Sequence, residues 1–200
     1  MRAGSPEWII REDASVPVLV ALYLRQVTGL NVPSDLSFLR GIVPRSELRS
    51  ERSQLELEAQ WSDFWAMTVE PQAHPSAVPL DLVDGFDSLL ALPVSGAEAL
   101  RAAIAPHAAE ALAYATDMHE RYRRSVGTGV AYRAYAGAIA EHERRVGRRA
   151  HPFELNVQVL PLTQRGVWWI GSLTVAVTDG LRGDIAAFDS AINPIIAELA

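Results

Sequence analysis

The segment HPFELNVQVLPLTQRGVWWIGSLTVAVTDGLRGDIAAFDSAINPIIAELA, residues 151–200, decides how this chain folds. Side chains on a strand alternate between two faces. Phe153, Leu155, Val157 and Val159 therefore share one face, and Glu154, Asn156 and Gln158 share the other. Leu173, Val175 and Val177 repeat the pattern, with Ser172, Thr174, Ala176 and Thr178 in alternation. Thr163-Gln164-Arg165-Gly166 reads as a short connection, so the spacing predicts an antiparallel hairpin over 153–178. Its register places Leu155 opposite Leu173, Val157 opposite Gly171 and Val159 opposite Trp169, because a slip of one residue buries Asn156 and Gln158.

Beyond Thr178, residues 179–184 form a turn-rich bridge ending in Asp184, whose carboxylate suits the N-cap of a helix. Ile185, Phe188, Ile192, Ile195, Ile196 and Leu199 then recur at steps of three and four, predicting a helix over 185–199 that bends at Pro194 without stopping. Arg182-Gly183-Asp184 resembles a cell-adhesion tripeptide, but a turn followed by an N-cap accounts for all three residues. Two strands alone are marginal, and residues 7–11 are expected to add a third beside the hairpin. The fold expected is α+β: mostly helical, with a small antiparallel sheet covered on one face by helices and a helix at the C-terminus.

Upstream, Ser15 and Pro17 open a helix that runs to about Thr28 before Gly29, and a loop leads to an apolar element near 36–40. A helix over 45–67 carries Leu57, Trp61, Phe64 and Trp65 on one face. With no Arg or Lys interleaved, that face reads as core and not as a platform for bases. Pro71, Pro75 and Pro79 make 69–81 a loop or linker inside a single domain spanning 1–200, and 81–92 reads as a short helix ended by Pro93. A helical hairpin follows. Leu100, Ile104, His107, Ala111, Met118 and Tyr122 stripe its first arm, Pro106 breaks it, Gly127-Thr128-Gly129 turns it, and Tyr132, Tyr135, Ile139 and His142 stripe a second arm over 130–146.

Composition narrows the chemistry. All 18 basic side chains are Arg and cysteine is absent, which removes disulfides, thiolate catalysis, Schiff-base lysines and the P-loop. The first hundred residues hold 7 Arg against 14 acids and the second hundred 11 against 10, which disfavours general nucleic-acid binding. The apolar run from Val16 to Leu24 is far short of the roughly 20 residues that span a bilayer, so a cytoplasmic protein with no membrane segment is the default expectation. Gly127-Thr128-Gly129 lacks the third glycine and the preceding strand of a dinucleotide site. His119-Glu120 and His142-Glu143 return Arg123 and Val146 where a zinc-protease helix returns histidine. No cofactor or metal is expected.

Arginines gather at 121, 123 and 124 and at 144, 145, 148 and 149, each group at the C-terminal end of its own helix, where the macrodipole favours cations. The candidate ligand or partner contacts are His107, Tyr114, Tyr132, Tyr135 and His142 on the helical hairpin, with Glu110 and Asp117 nearby, and Trp168 on the strand hairpin. His107 and His142 stand roughly 10 Å apart along such a hairpin at 1.5 Å per residue, too far to share an ion. Trp168 and Trp169 must point to opposite faces, which puts the Trp168 indole on the polar face of the sheet. Two readings stay open. The first is a non-catalytic binding or assembly module that self-associates through the C-terminal hairpin. The second is a small-ligand-binding protein or enzyme with a pocket between the 107–146 hairpin and the C-terminal sheet.

Overall fold

In a computed structural model of the chain, the described residues are 8–44, 49–126 and 130–200, without the side chains of 130–132. Along the chain lie β1 (Trp8–Asp13), α1 (Val16–Val27), α2 (Glu51–Val69), β2 (Leu80–Leu82), β3 (Ala91–Pro93) and α3 (Glu98–Ile104). After a single 3-10 turn, Ala105–His107, come α4 (Ala108–Ser125), α5 (Val130–Val146), β4 (Phe153–Leu160), β5 (Val167–Trp169), β6 (Thr174–Thr178), α6 (Asp179–Arg182) and α7 (Ile185–Leu199). The fold is α+β, as the alternation and the helical stripes imply. Two compact units form. A sheet unit takes the chain up to Asp13 together with Tyr122–Ala200, and a helical unit takes Ala14–Arg121. The proline-rich 69–81 stretch lies inside the helical unit, as an exposed loop that ends at β2.

The sheet has the order β1-β4-β6-β5. The N-terminal strand joins it as expected, but β1 runs parallel to β4, with Trp8 beside Phe153 and Glu12 beside Val157. The antiparallel pairing expected across 153–178 is corrected: β4 runs parallel to β6, with Val157 beside Val175 and Val159 beside Val177, and only β5 and β6 form an antiparallel pair. Leu173 sits in the β5–β6 turn, 42% exposed, and meets β4 where its carbonyl accepts from Asn156 N at the start of the parallel pairing. The physical reason lies in which connection is tight. Ile170 N and Gly171 N both donate to Thr174 O, closing the β5–β6 turn, whereas residues 161–166 arch over one strand position, about 10 Å at the usual spacing. Thr178 anchors that arch by donating to Gln164 O and accepting from Gly166 N.

The strand faces follow the alternation even though the pairing does not. Leu155, Val157, Val159, Val175 and Val177 point into one core against Tyr135 and Ile139 of α5 and Phe188, Ile192 and Ile196 of α7. Strand β6 is buried along both faces, Thr174, Ala176 and Thr178 included, which is the signature of a central strand. Helix α7 starts where expected, with Asp184 Oδ1 accepting from Ala187 N, and it continues through Pro194. Residues 179–182, expected as a turn, close into the one-turn helix α6.

In the helical unit, α1 ends as predicted and α2 begins at Glu51, not near 45, because Ser50 Oγ accepts from Ser53 N and caps it there. Residues 45–48 lie outside the described residues, as do Glu7 and the Gly127-Thr128-Gly129 turn. The aromatic face of α2 is core: Trp61 is fully buried and stacks on Trp65, and its indole donates to Val32 O. Arg25, also fully buried, donates to the carbonyls of Pro33, Leu36 and Ser37 and holds the loop after α1. Burial lowers its pKa to about 10. The segment 81–92, read as a short helix, is instead the end of β2, a loop and the start of β3. Its loop needs Gly85 at φ +84°, and a Cβ there would stand 2.9 Å from the Ala108 side chain.

The stripes of α4 and α5 find partners within their own units. Ala108, Ala111 and Ala115 are buried, and the Tyr114 ring packs at a tilt against Tyr23 of α1, whereas α5 lies against α7. If β6 is the central strand, hydrogen exchange will be slowest for the amides of 174–178 and faster for the edge strand 167–169. The opposite order would restore the two-stranded hairpin.

Candidate functional site

Alternation on β1 carries Glu12 to the core face with Trp8 and Ile10, so its carboxylate enters the sheet unit's interior and needs donors there. It has them. Tyr135 Oη of α5 donates to Oε2 at 2.7 Å, Tyr122 Oη in the last turn of α4 donates to Oε1 at 3.4 Å, and Arg182 of α6 donates from Nε and Nη2 at 3.1 and 3.0 Å. The Glu12 and Arg182 side chains are only 11% and 10% exposed. Burial, followed by the Glu12 charge, holds both phenols well above their ordinary range. Of the candidate residues, this cluster takes Tyr135. Glu12, Tyr122 and Arg182 escape a sequence reading because their partners are more than a hundred positions away. These hydrogen bonds tie β1 to α4, α5 and α6, so the cluster acts as a structural lock.

His142 sits two turns further along α5, 7% exposed. Its Nδ1 is 3.3 Å from Arg145 Nη2; because a guanidinium only donates, Nδ1 accepts and Nε2 carries the ring proton. Nε2 is buried without a partner. The ring borders a cavity of about 210 Å³ between α5 and α7, lined also by Ala138, Glu141, Arg145, Asn193 and Pro194. Asn193 donates to Glu141 across it. The N–H itself is closed off from solvent, so the imidazole offers the cavity its edge and not its donor.

The remaining candidates are dispersed. His107 is buried in the turn before α4, and Tyr114 donates to Arg40 O; both belong to the helical unit, as do Glu110, which accepts from Tyr23, and Asp117, which pairs with Arg121. The Tyr132 side chain lies outside the described residues. Trp168 shares a face with Ala176 and is half-buried, its ring lying over Gly166, while the more exposed indole is Trp169 at 38%. Arg148 donates to Arg149 O and Ala200 O at the glycine-capped end of α5, the placement expected of helix-end cations. Among the described residues, no three His, Asp or Glu stand close enough to hold a metal ion, and no helix is long and apolar enough to cross a membrane.

The surface feature least explained by folding is the β2–β3 hairpin. Leu80 pairs with Pro93 and Leu82 with Ala91 on one face, while Leu92, on the other, is fully buried. The outward face is therefore apolar: Leu80 is 51% and Leu82 54% exposed, with Val78 at 37% continuing the alternation. Leu89 and Val94 add exposed apolar surface at the hairpin's ends. The hairpin is held rigidly in place. Arg101 of α3 donates to Leu82 O and Leu92 O, Val83 and Phe86 are buried beneath it, and Gly85 fits against α4. The Val78, Leu80, Leu82 alternation is present in the sequence, but Pro79 and the surrounding prolines mask it as a loop.

No protein-family model matches the chain, and neither a curated protein nor a solved structure resembles it. The class is therefore defined by the architecture: an α+β chain of two compact units, one carrying an exposed apolar hairpin.

Glu12→Ala is expected to cost about 3 kcal/mol in urea unfolding, because it leaves Arg182 and two phenols without an acceptor. Because the pKa values of Tyr122 and Tyr135 are raised on folding, their contribution is complete below about pH 10 and is lost as pH climbs above it. Absorbance at 295 nm should show these two of the five tyrosines ionising only with unfolding. His142→Leu removes an unsatisfied buried N–H and should leave stability unchanged or raise it by about 1 kcal/mol; a large loss would reveal a partner for that nitrogen.

Proposed function

We propose that this chain is a non-catalytic binding module that docks a protein partner through the outward face of the β2–β3 hairpin. The observation that carries the reading is the run of aliphatic side chains at Val78, Leu80 and Leu82, exposed on a hairpin whose opposite face buries Leu92. Single exposed leucines need no explanation, but a contiguous apolar face on a rigidly mounted hairpin is how partner sites are built. Only the polar rim is missing from the strands themselves, and the hairpin's loop supplies it with Asp84 and Asp87.

A second reading, a small polar ligand in the cavity between α5 and α7, draws on the polar side chains that line it beside His142, namely Glu141, Arg145 and Asn193. Native mass spectrometry of the purified chain would reveal a retained ligand as added mass, and His142→Ala would abolish it. Self-association through β5 has less support, because that edge strand is only three residues long, a common way of blunting an edge.

The double change Leu80→Ser/Leu82→Ser tests the docking reading. These side chains are more than half exposed, so stability should move by no more than about 0.5 kcal/mol. A partner recovered from the source cells and then purified should bind the wild-type chain and lose at least about tenfold in affinity for the variant, the size of one or two apolar anchors. Equal binding by the two chains would sink the proposal.

A further inference from the structure

The partner's chemistry can be read from the charge around the hairpin, an inference that rests on the docking reading above. The 48 residues between Arg52 and Arg101 contain no Arg and no Lys, but eight Asp or Glu. Three of these acids belong to the hairpin itself, all exposed: Asp81, which pairs with Leu92 and so alternates away from Leu80 and Leu82, and Asp84 and Asp87 in its loop. The nearest cation in sequence, Arg101, is engaged with the carbonyls of Leu82 and Leu92 from beneath. The apolar face thus ends in a loop with two exposed carboxylates, and the same stretch of sequence supplies no Arg or Lys.

From this we infer that the hairpin accepts a heterologous protein segment with an apolar centre and Arg or Lys at its flanks. Charge complementarity selects against a second copy. In an isologous pairing each hairpin would meet its own image, which brings the same acids and no Arg or Lys from residues 53–100 to compensate them. A basic flank instead converts the same three carboxylates into attraction, and the field speeds encounter before the aliphatic contacts form. Among the described residues, no group of three His, Asp or Glu is close enough to hold a metal ion. That favours several separate cationic side chains over a bound divalent ion.

The experiment is selection of a random peptide library, displayed on phage, against the immobilised full chain. Parallel selections use Leu80→Ser/Leu82→Ser and the triple change Asp81→Asn/Asp84→Asn/Asp87→Asn; Leu82→Gln alone replaces the first variant if it unfolds. Peptides enriched on the wild-type chain should carry adjacent or alternating apolar residues flanked by Arg or Lys. As synthetic peptides they should weaken by at least about tenfold when salt is raised from low to high, and by a similar factor on the triple-Asn chain. Neutral or acidic winners that still require Leu80 and Leu82 would overturn the charge inference and leave the docking reading in place. Absence of any peptide that depends on those leucines would overturn both. A concentration-dependent dimer in sedimentation velocity that Leu80→Ser/Leu82→Ser abolishes would assign the face to a second copy and refute the heterologous partner.

Discussion

A single carboxylate on the wrong side of an edge strand organises the sheet unit. Glu12 occupies a position where alternation demands an apolar residue, and a charge there is tolerable only if donors converge on it. The donors come from three separate helices: Tyr122 closes α4, Tyr135 projects from α5 and Arg182 ends α6. Meeting one buried charge therefore positions β1 against three helical segments at once. The neighbouring pairs along β1 are either apolar, as Ile10 beside Leu155, or exposed, as the Arg11–Glu154 ion pair, whose net contribution in water is small.

The helical unit handles its buried charge differently. Arg25 donates hydrogen bonds to backbone carbonyls of the following loop, and the guanidinium lies 5.1 Å from the Phe38 ring centre. The charge thereby shapes a loop that has no secondary structure of its own. Beside such an interior, an exposed aliphatic face stands out. The β2–β3 hairpin presents Leu80 and Leu82 to solvent although a polar residue at either position would leave the packing of Val83, Phe86 and Leu92 untouched. Folding alone does not require that choice.

Much of the candidate site was out of reach of a linear reading. Tyr135 and His142 were recognisable as inward positions on α5, but not that one serves Glu12 while the other borders a cavity against α7. His107 and Tyr114 were grouped with them on the premise of a zipped helical hairpin, and they belong instead to the other compact unit. The apolar hairpin was hidden by Pro75 and Pro79, whose local signal for a loop outweighs a three-member alternation.

By itself the sequence determined most of the local structure: the long helices, the cap at Asp184, and the side of the C-terminal strands that faces the core. These follow from periodicity and capping chemistry, which act over a few residues. Tertiary structure decided which strands are neighbours. Residues facing the same way satisfy the core equally well in parallel or antiparallel register, so Val157 can meet Val175 or Gly171 with the same side inward. What chose between them was the burial of β6 on both faces, a property of its neighbours and not of its own five residues.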